Sequence, residues 1–192
     1  MLAMTSLSNE FNFLEDVRNQ SRYYRRLAEQ AMEQLEAEQL FSAANADSNS
    51  IAVIAGHLAG NMLSRWTDFM TTDGEKSWRD RDGEFEVQFK GREDLRESWN
   101  RGWDCYLNAL DGIQPSDLDK ICYIRNQGHT VLEAINRQFA HYAYHVGQIV
   151  FAAKQLKASP WKSLTIPKNQ SRAFNAAKFS EEKRRQNFLD KS

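Results

Sequence analysis

Disulfide chemistry, a membrane anchor and a strong field of either sign are all missing from this sequence. Its two cysteines, Cys105 and Cys122, have no Cys-x-x-Cys spacing. A chain of 192 residues buries enough surface to fold without a covalent staple, so reduced thiols are expected. Neither cysteine lies in a nucleophile signature. No apolar run approaches the about 20 residues that cross a bilayer. The opening MLAMTSLSNEFNF has no basic n-region followed by an apolar h-region, so the reading is a cytoplasmic protein without membrane association. Twenty-five basic residues against twenty-six acidic ones leave a formal charge of −1. That removes the global potential that recruits nucleic acid, and any partner must be recognised locally. Internal repeats and low-complexity tracts are absent too.

What the sequence has is helical periodicity. Leu14, Val17, Ser21, Tyr24, Ala28, Ala31 and Leu35 recur at spacings of three and four with charged residues between them, which predicts an amphipathic helix over 8–35. Asn49 and Ser50 are cap candidates for a second, mostly apolar helix from Ile51 to Met70. A third spans Gly91 to Leu110, with Leu95, Trp99, Trp103, Tyr106 and Leu110 on one stripe and Asp111-Gly112 as its stop. Thr130 and Glu133 form a capping box that opens a fourth helix running to about Leu156, before Ser159-Pro160. Between helices two and three, residues 71–90 contain an Asp-Gly turn and the alternating EFEVQF, a small hairpin or a lid. KICYIR, before the fourth helix, is strand-like, and AFNAAKFSEEKRRQNFL near the C-terminus suits a surface helix. The expected fold is all-α, a four-helix bundle over 1–166 with one long connection, followed by a basic polar extension over 167–192.

Two of the four histidines, His141 and His145, stand four apart on the fourth helix. At about 100° per residue they lie about 40° apart, with Gln138 and Gln148 on the same strip. The arc of Val131, Ile135, Phe139, Tyr142, Val146, Ile149 and Val150 adjoins that strip, while Glu133, Arg137 and Lys154 fall on the far side. The imidazoles therefore border the core. Spacing of i, i+4 stacks two side chains one turn apart and suits chelation, although it equally fits two hydrogen-bonded structural histidines. A third ligand would have to come from a facing helix. His57 is the candidate, on a polar strip with Asn61, Ser64 and Asp68 that either faces water or lines a polar pocket; spacing alone leans to water. Gly56 and Gly60 weaken that helix and suggest close approach of another helix near His57. His129, just before the Thr130 cap, reads as a loop histidine.

TVLEAINRQFAHYAYHVGQI (130–149), IAVIAGHLAGN (51–61) and LTIPKNQSRAFN (164–175) together resemble the DinB-like superfamily, in its DUF1572 branch. The resemblance implies an up-down-down-up four-helix bundle and a divalent metal, zinc or nickel ahead of iron, held by His57, His141 and His145. It also implies Asn61, Gln138 and Gln148 as groups that support the ligands or touch a cosubstrate. Some superfamily members look like transferases or isomerases that use low-molecular-weight thiols such as bacillithiol or mycothiol. Metal-activated attack of a small-molecule thiolate on an electrophilic substrate is therefore the expected reaction, in a homodimer, with no catalytic side chain assigned. Two alternatives stay open. One is a metal-dependent hydrolase, for which no Glu or Asp near the histidines stands out as general base. The other is a non-catalytic, dimeric, stress-related binding protein with a structural metal, using the third-helix aromatic stripe or the basic tail as its interface.

Overall fold

The apolar repeat around Leu14 folds as α1 (Leu2–Met32), burying Leu14, Val17, Ser21, Ala28 and Ala31, with Leu35 buried just past its end. The computed structural model describes residues 2–86, 89–157 and 159–184. Among them the chain is mostly helical, with six α-helices and one two-stranded sheet. After a single turn, α2 (Ala37–Leu40), comes α3 (Ile51–Trp66), which starts where Ser50 Oγ accepts a hydrogen bond from the Val53 backbone N–H at 3.2 Å. The third-helix stripe forms α4 (Arg92–Gly112). In α5 (Val131–Lys157) the Thr130 hydroxyl accepts from Glu133 N, and the Glu133 carboxylate accepts from Thr130 N, so the capping box is complete. A last helix, α6 (Ser171–Phe179), buries none of its residues.

The four long helices share one core. α3 packs against α4 and α5, and α1 packs against α5 and α4. Leu95, Trp99, Trp103, Tyr106 and Leu110 are each at most 3% exposed. The aromatic stripe is thus interior, and the interface considered for it from sequence is not available on this surface. Gly102 marks a close approach of α4 to α3, because a Cβ there would lie 2.6 Å from the Ala59 Cα. Two polar pairings cross the core, whereas Trp103 Nε1 has no hydrogen-bond partner among the described residues. Tyr142 Oη donates to Asn61 Oδ1 at 3.1 Å and accepts from Trp66 Nε1 at 2.9 Å, while Ser21 and Tyr106 share a hydrogen bond at 2.9 Å.

KICYIR supplies β1 (Ile121–Ile124), which pairs antiparallel with β2 (Gln127–Thr130). The two-residue turn between them has Arg125 and Asn126 at φ 56° and 59°, the left-handed pair that matches the twist of the flanking strands. Asp73 holds this turn from outside by accepting both backbone N–H groups, at 2.8 and 2.7 Å.

Three expectations are revised. The second helix ends at Trp66 rather than Met70, because Thr67 is extended and Asp68 adopts φ 49°. That turn brings the Gly74 carbonyl to Ser64 Oγ, at 2.8 Å, and to the Arg65 guanidinium. Residues 71–86 and 89–90 form turns and a 3-10 turn at Gly83–Phe85, with no strand among the described residues; Val87 and Gln88 lie outside them. The surface helix of the tail spans Ser171–Phe179, and residues 185–192 lie outside the described residues. Both cysteines are free, Cys105 half-buried and Cys122 buried. Among the described residues no helix is long and apolar enough to cross a membrane.

Candidate metal centre

The polar strip of α3 does not face water. His57, Asn61 and Ser64 are at most 6% exposed, and only Asp68, past the helix end, lies at the surface. The leaning read from spacing is therefore reversed, since groups arriving from α5 and from the 71–90 segment cover the strip. Across from it, α5 delivers His141 and His145 on successive turns. One ring nitrogen from each of His57, His141 and His145 lies within 4.8 Å of the others, so the three can hold a metal ion. The rings meet edge to face, with centroids 4.6–5.5 Å apart.

Hydrogen bonds on the outer nitrogens decide which nitrogen His57 and His145 have free. His145 Nδ1 faces the Gln148 amide oxygen at 2.7 Å, so Nδ1 carries the proton and Nε2 has the lone pair. Gln148 is in turn held by its amide N–H to Tyr144 Oη at 3.0 Å. His57 Nδ1 faces the Glu84 carboxylate at 2.9 Å. His141 Nε2 and His145 Nε2 are 3.1 Å apart. Two nitrogens on one ion, each at about 2.0–2.1 Å and at angles between a right angle and tetrahedral, stand roughly 2.8–3.4 Å apart. The His141–His145 pair therefore fits a metal in spacing, and all three donors fit one in type. The pair's protonation fits as well. Burial first, then the neighbouring charges of His145, His57, Arg65 and Arg79, push His141 down to about 4. Burial and His57 lower His145 against the opposing Gln148 hydrogen bond. Both rings are neutral at pH 7, the form that ligates.

Glu84 and Arg79 are the residues that sequence reasoning missed. From the 3-10 turn, Glu84 reaches over α3 and accepts from His57; Arg79 then donates Nε to Glu84 Oε1 at 2.7 Å and Nη2 to Oε2 at 2.8 Å. Their side chains are largely covered, 9% and 2% exposed. Burial alone would raise the Glu84 carboxyl, but hydrogen bonds from His57 and Arg79 outweigh it and hold the group below the usual carboxylate range. Phe85 stacks on the His57 ring at 5.1 Å. The close approach anticipated at Gly56 and Gly60 is real, but it is made by Phe89 and Glu84 rather than by another helix. The sequence did carry that one signal.

The remaining expected residues divide. Gln148 touches His145, as described. The Asn61 side chain is committed to Tyr142 Oη and has no hydrogen bond to the histidines. Gln138 is 4% exposed and its amide oxygen has no hydrogen-bond partner among the described residues. His129 sits apart on β2, beside Arg137 at 3.2 Å.

No curated protein and no solved structure matches the chain. One family model matches residues 8–170, described as a protein of unknown function (DUF1572). That span includes α1 from residue 8 to the end of α5, with all three histidines, Arg79 and Glu84 inside it. Matched over most of its length, the chain belongs to the DUF1572 family.

Proposed function

We propose that the protein is a metal-dependent enzyme in which His57, His141 and His145 hold a divalent ion, zinc or nickel ahead of iron, and which transfers a low-molecular-weight thiol onto an electrophile. The observation that carries the metal reading is the convergence of three imidazoles from two helices, two of them 3.1 Å apart. The thiol reading rests on the DinB-like resemblance of the motifs around those histidines, and so does the up-down-down-up arrangement assigned to α1, α3, α4 and α5. Ligation by three uncharged imidazoles leaves the full charge of a bound ion available to stabilise a thiolate near neutral pH.

The chain's own groups do the rest. Gln148 fixes the His145 ring, Phe85 covers His57, and the apolar arc of α5 keeps water from the inner side of the three rings. The cosubstrate sulfur forms a bond to the electrophilic carbon while the leaving group departs with its electron pair, and the thiol proton passes to solvent. A hydrolase reading is weakened by Glu84. It is hydrogen-bonded to the Nδ1 side of His57 and occupied twice by Arg79, so it is a poor general base.

The test is to load the purified protein with zinc or nickel and incubate it with a panel of cellular thiols and a chromogenic electrophile, with and without chelator. Metal-dependent conjugation is the expected outcome. Stoichiometric metal with no conjugation for any thiol would move the reading to a non-catalytic binding protein with a structural metal.

A further inference from the structure

A three-histidine centre works only if each ring turns a lone pair inward, and for His57 nothing on its own helix arranges this. A histidine side chain in water favours the proton on Nε2, the nitrogen that would have to ligate. In the structure the opposite nitrogen is engaged, because His57 Nδ1 lies 2.9 Å from Glu84 Oε2. A carboxylate can only accept, so Nδ1 must supply the proton. Arg79 makes this arrangement rigid: its side-on pair of bonds, 2.7 and 2.8 Å, occupies both carboxylate oxygens and fixes the plane of the group. The volume for it is built into α3. A side chain at Gly60 would overlap the Glu84 carboxylate, and the absent Cβ leaves the carboxylate its place against the helix beside His57.

We propose that Glu84, held by Arg79, is a positioning residue: it fixes His57 in the Nδ1–H form with Nε2 turned to His141 and His145, and thereby sets how tightly the centre binds its ion. The proposal rests on the three-histidine reading, and its test separates failure of one from failure of the other. In the metal-free protein, nitrogen–proton correlation spectra of the imidazoles report the His57 tautomer directly. Zinc affinity comes from competition with a chromogenic chelator. Glu84→Met, which leaves no acceptor at this position, should abolish the single Nδ1–H signature of His57 and weaken zinc binding by roughly 10–100-fold. Glu29→Gln, which loosens Arg25 and Trp99 far from the centre, should lower the melting temperature without moving either readout.

Should Glu84→Met fail to fold because Arg79 is left without its charge partner, Arg79→Met/Glu84→Met removes both members together and is read in the same way. Zinc affinity within twofold of the parent, or an unchanged Nδ1–H signature, overturns the positioning role. A parent protein that binds no zinc sinks the metal reading, and the tautomer comparison still decides whether Glu84 orients His57.

Discussion

The same substitution, glycine to alanine inside a helix, should have opposite signs at two positions. At Gly102 a new Cβ would sit 2.6 Å from the Ala59 Cα, 3.0 Å from its Cβ and 3.1 Å from its carbonyl oxygen. Carbon atoms in contact prefer about 3.5–4.0 Å, so α3 and α4 must part by about 1 Å. The atoms met are mostly backbone and cannot rotate away. Overpacking of this kind costs about 1–3 kcal/mol, and a clash with backbone belongs at the upper end. Opposing it is about 1 kcal/mol of helix propensity recovered by removing a glycine. The strain wins, and Gly102→Ala should destabilise by about 1–2 kcal/mol. For a chain of this length that is a fall in Tm of roughly 2–8 °C. Gly147 is exposed on α5 with nothing within 4 Å of its Cβ position. There only the propensity term acts, and Gly147→Ala should stabilise by about 0.5–1 kcal/mol, roughly 1–4 °C. Thermal and urea unfolding of both variants, followed by circular dichroism, gives the two signs. A Gly102→Ala protein as stable as its parent, or a Gly147→Ala protein less stable, refutes the packing argument between α3 and α4.

His57→Ala, His141→Ala and His145→Ala should each lose stoichiometric zinc by elemental analysis after dialysis, and any one of them that keeps a full equivalent removes that residue from the ligand set. Asp73 is held below its ordinary value by the backbone N–H groups of Asn126, Glu75 and Arg125, which together outweigh its desolvation. A depressed folded-state value means that the folded protein binds fewer protons than the unfolded chain, so the contribution is present above about pH 4 and is lost as the pH falls through the lower folded value. Urea midpoints should therefore be lower for Asp73→Asn than for the parent at pH 6, and the gap should close toward pH 3; a gap independent of pH would mean that Asp73 acts by packing alone.

Much of the fold was readable because period and polarity agreed. In the α5 arc Val131, Ile135, Tyr142, Val146 and Ile149 are buried as the spacing implied, with Phe139 and Val150 half-buried at its edges, and Ser50, Thr130 and Glu133 cap where their side chains permit. The end of α3 was not readable. Thr67 and Asp68 carry no glycine or proline stop signal, and the turn there is set by the Gly74 carbonyl that Ser64 and Arg65 capture. The polar strip on α3 was misjudged for a related reason, since a hydrophobic pattern records which residues are polar and not whether water or another side chain meets them. His141 and His145 stood out through i, i+4 spacing, and His57 through resemblance. Glu84 is 27 residues from His57 in a segment without helical period, so no local pattern could pair them. Gly60 was the trace it left.

The stretch from Asp73 to Glu84 is fastened at both ends, to the β1–β2 turn through Asp73 and to His57 through Glu84, with Arg65, Glu75 and Arg79 bridged between. Thermal fluctuation at the hairpin therefore has a mechanical route to the histidines that bypasses the helices. The least regular part of the chain acts as a tie rod, and local opening at one anchor should lower the opening free energy at the other, so that hairpin and centre exchange their amide protons as one cooperative unit.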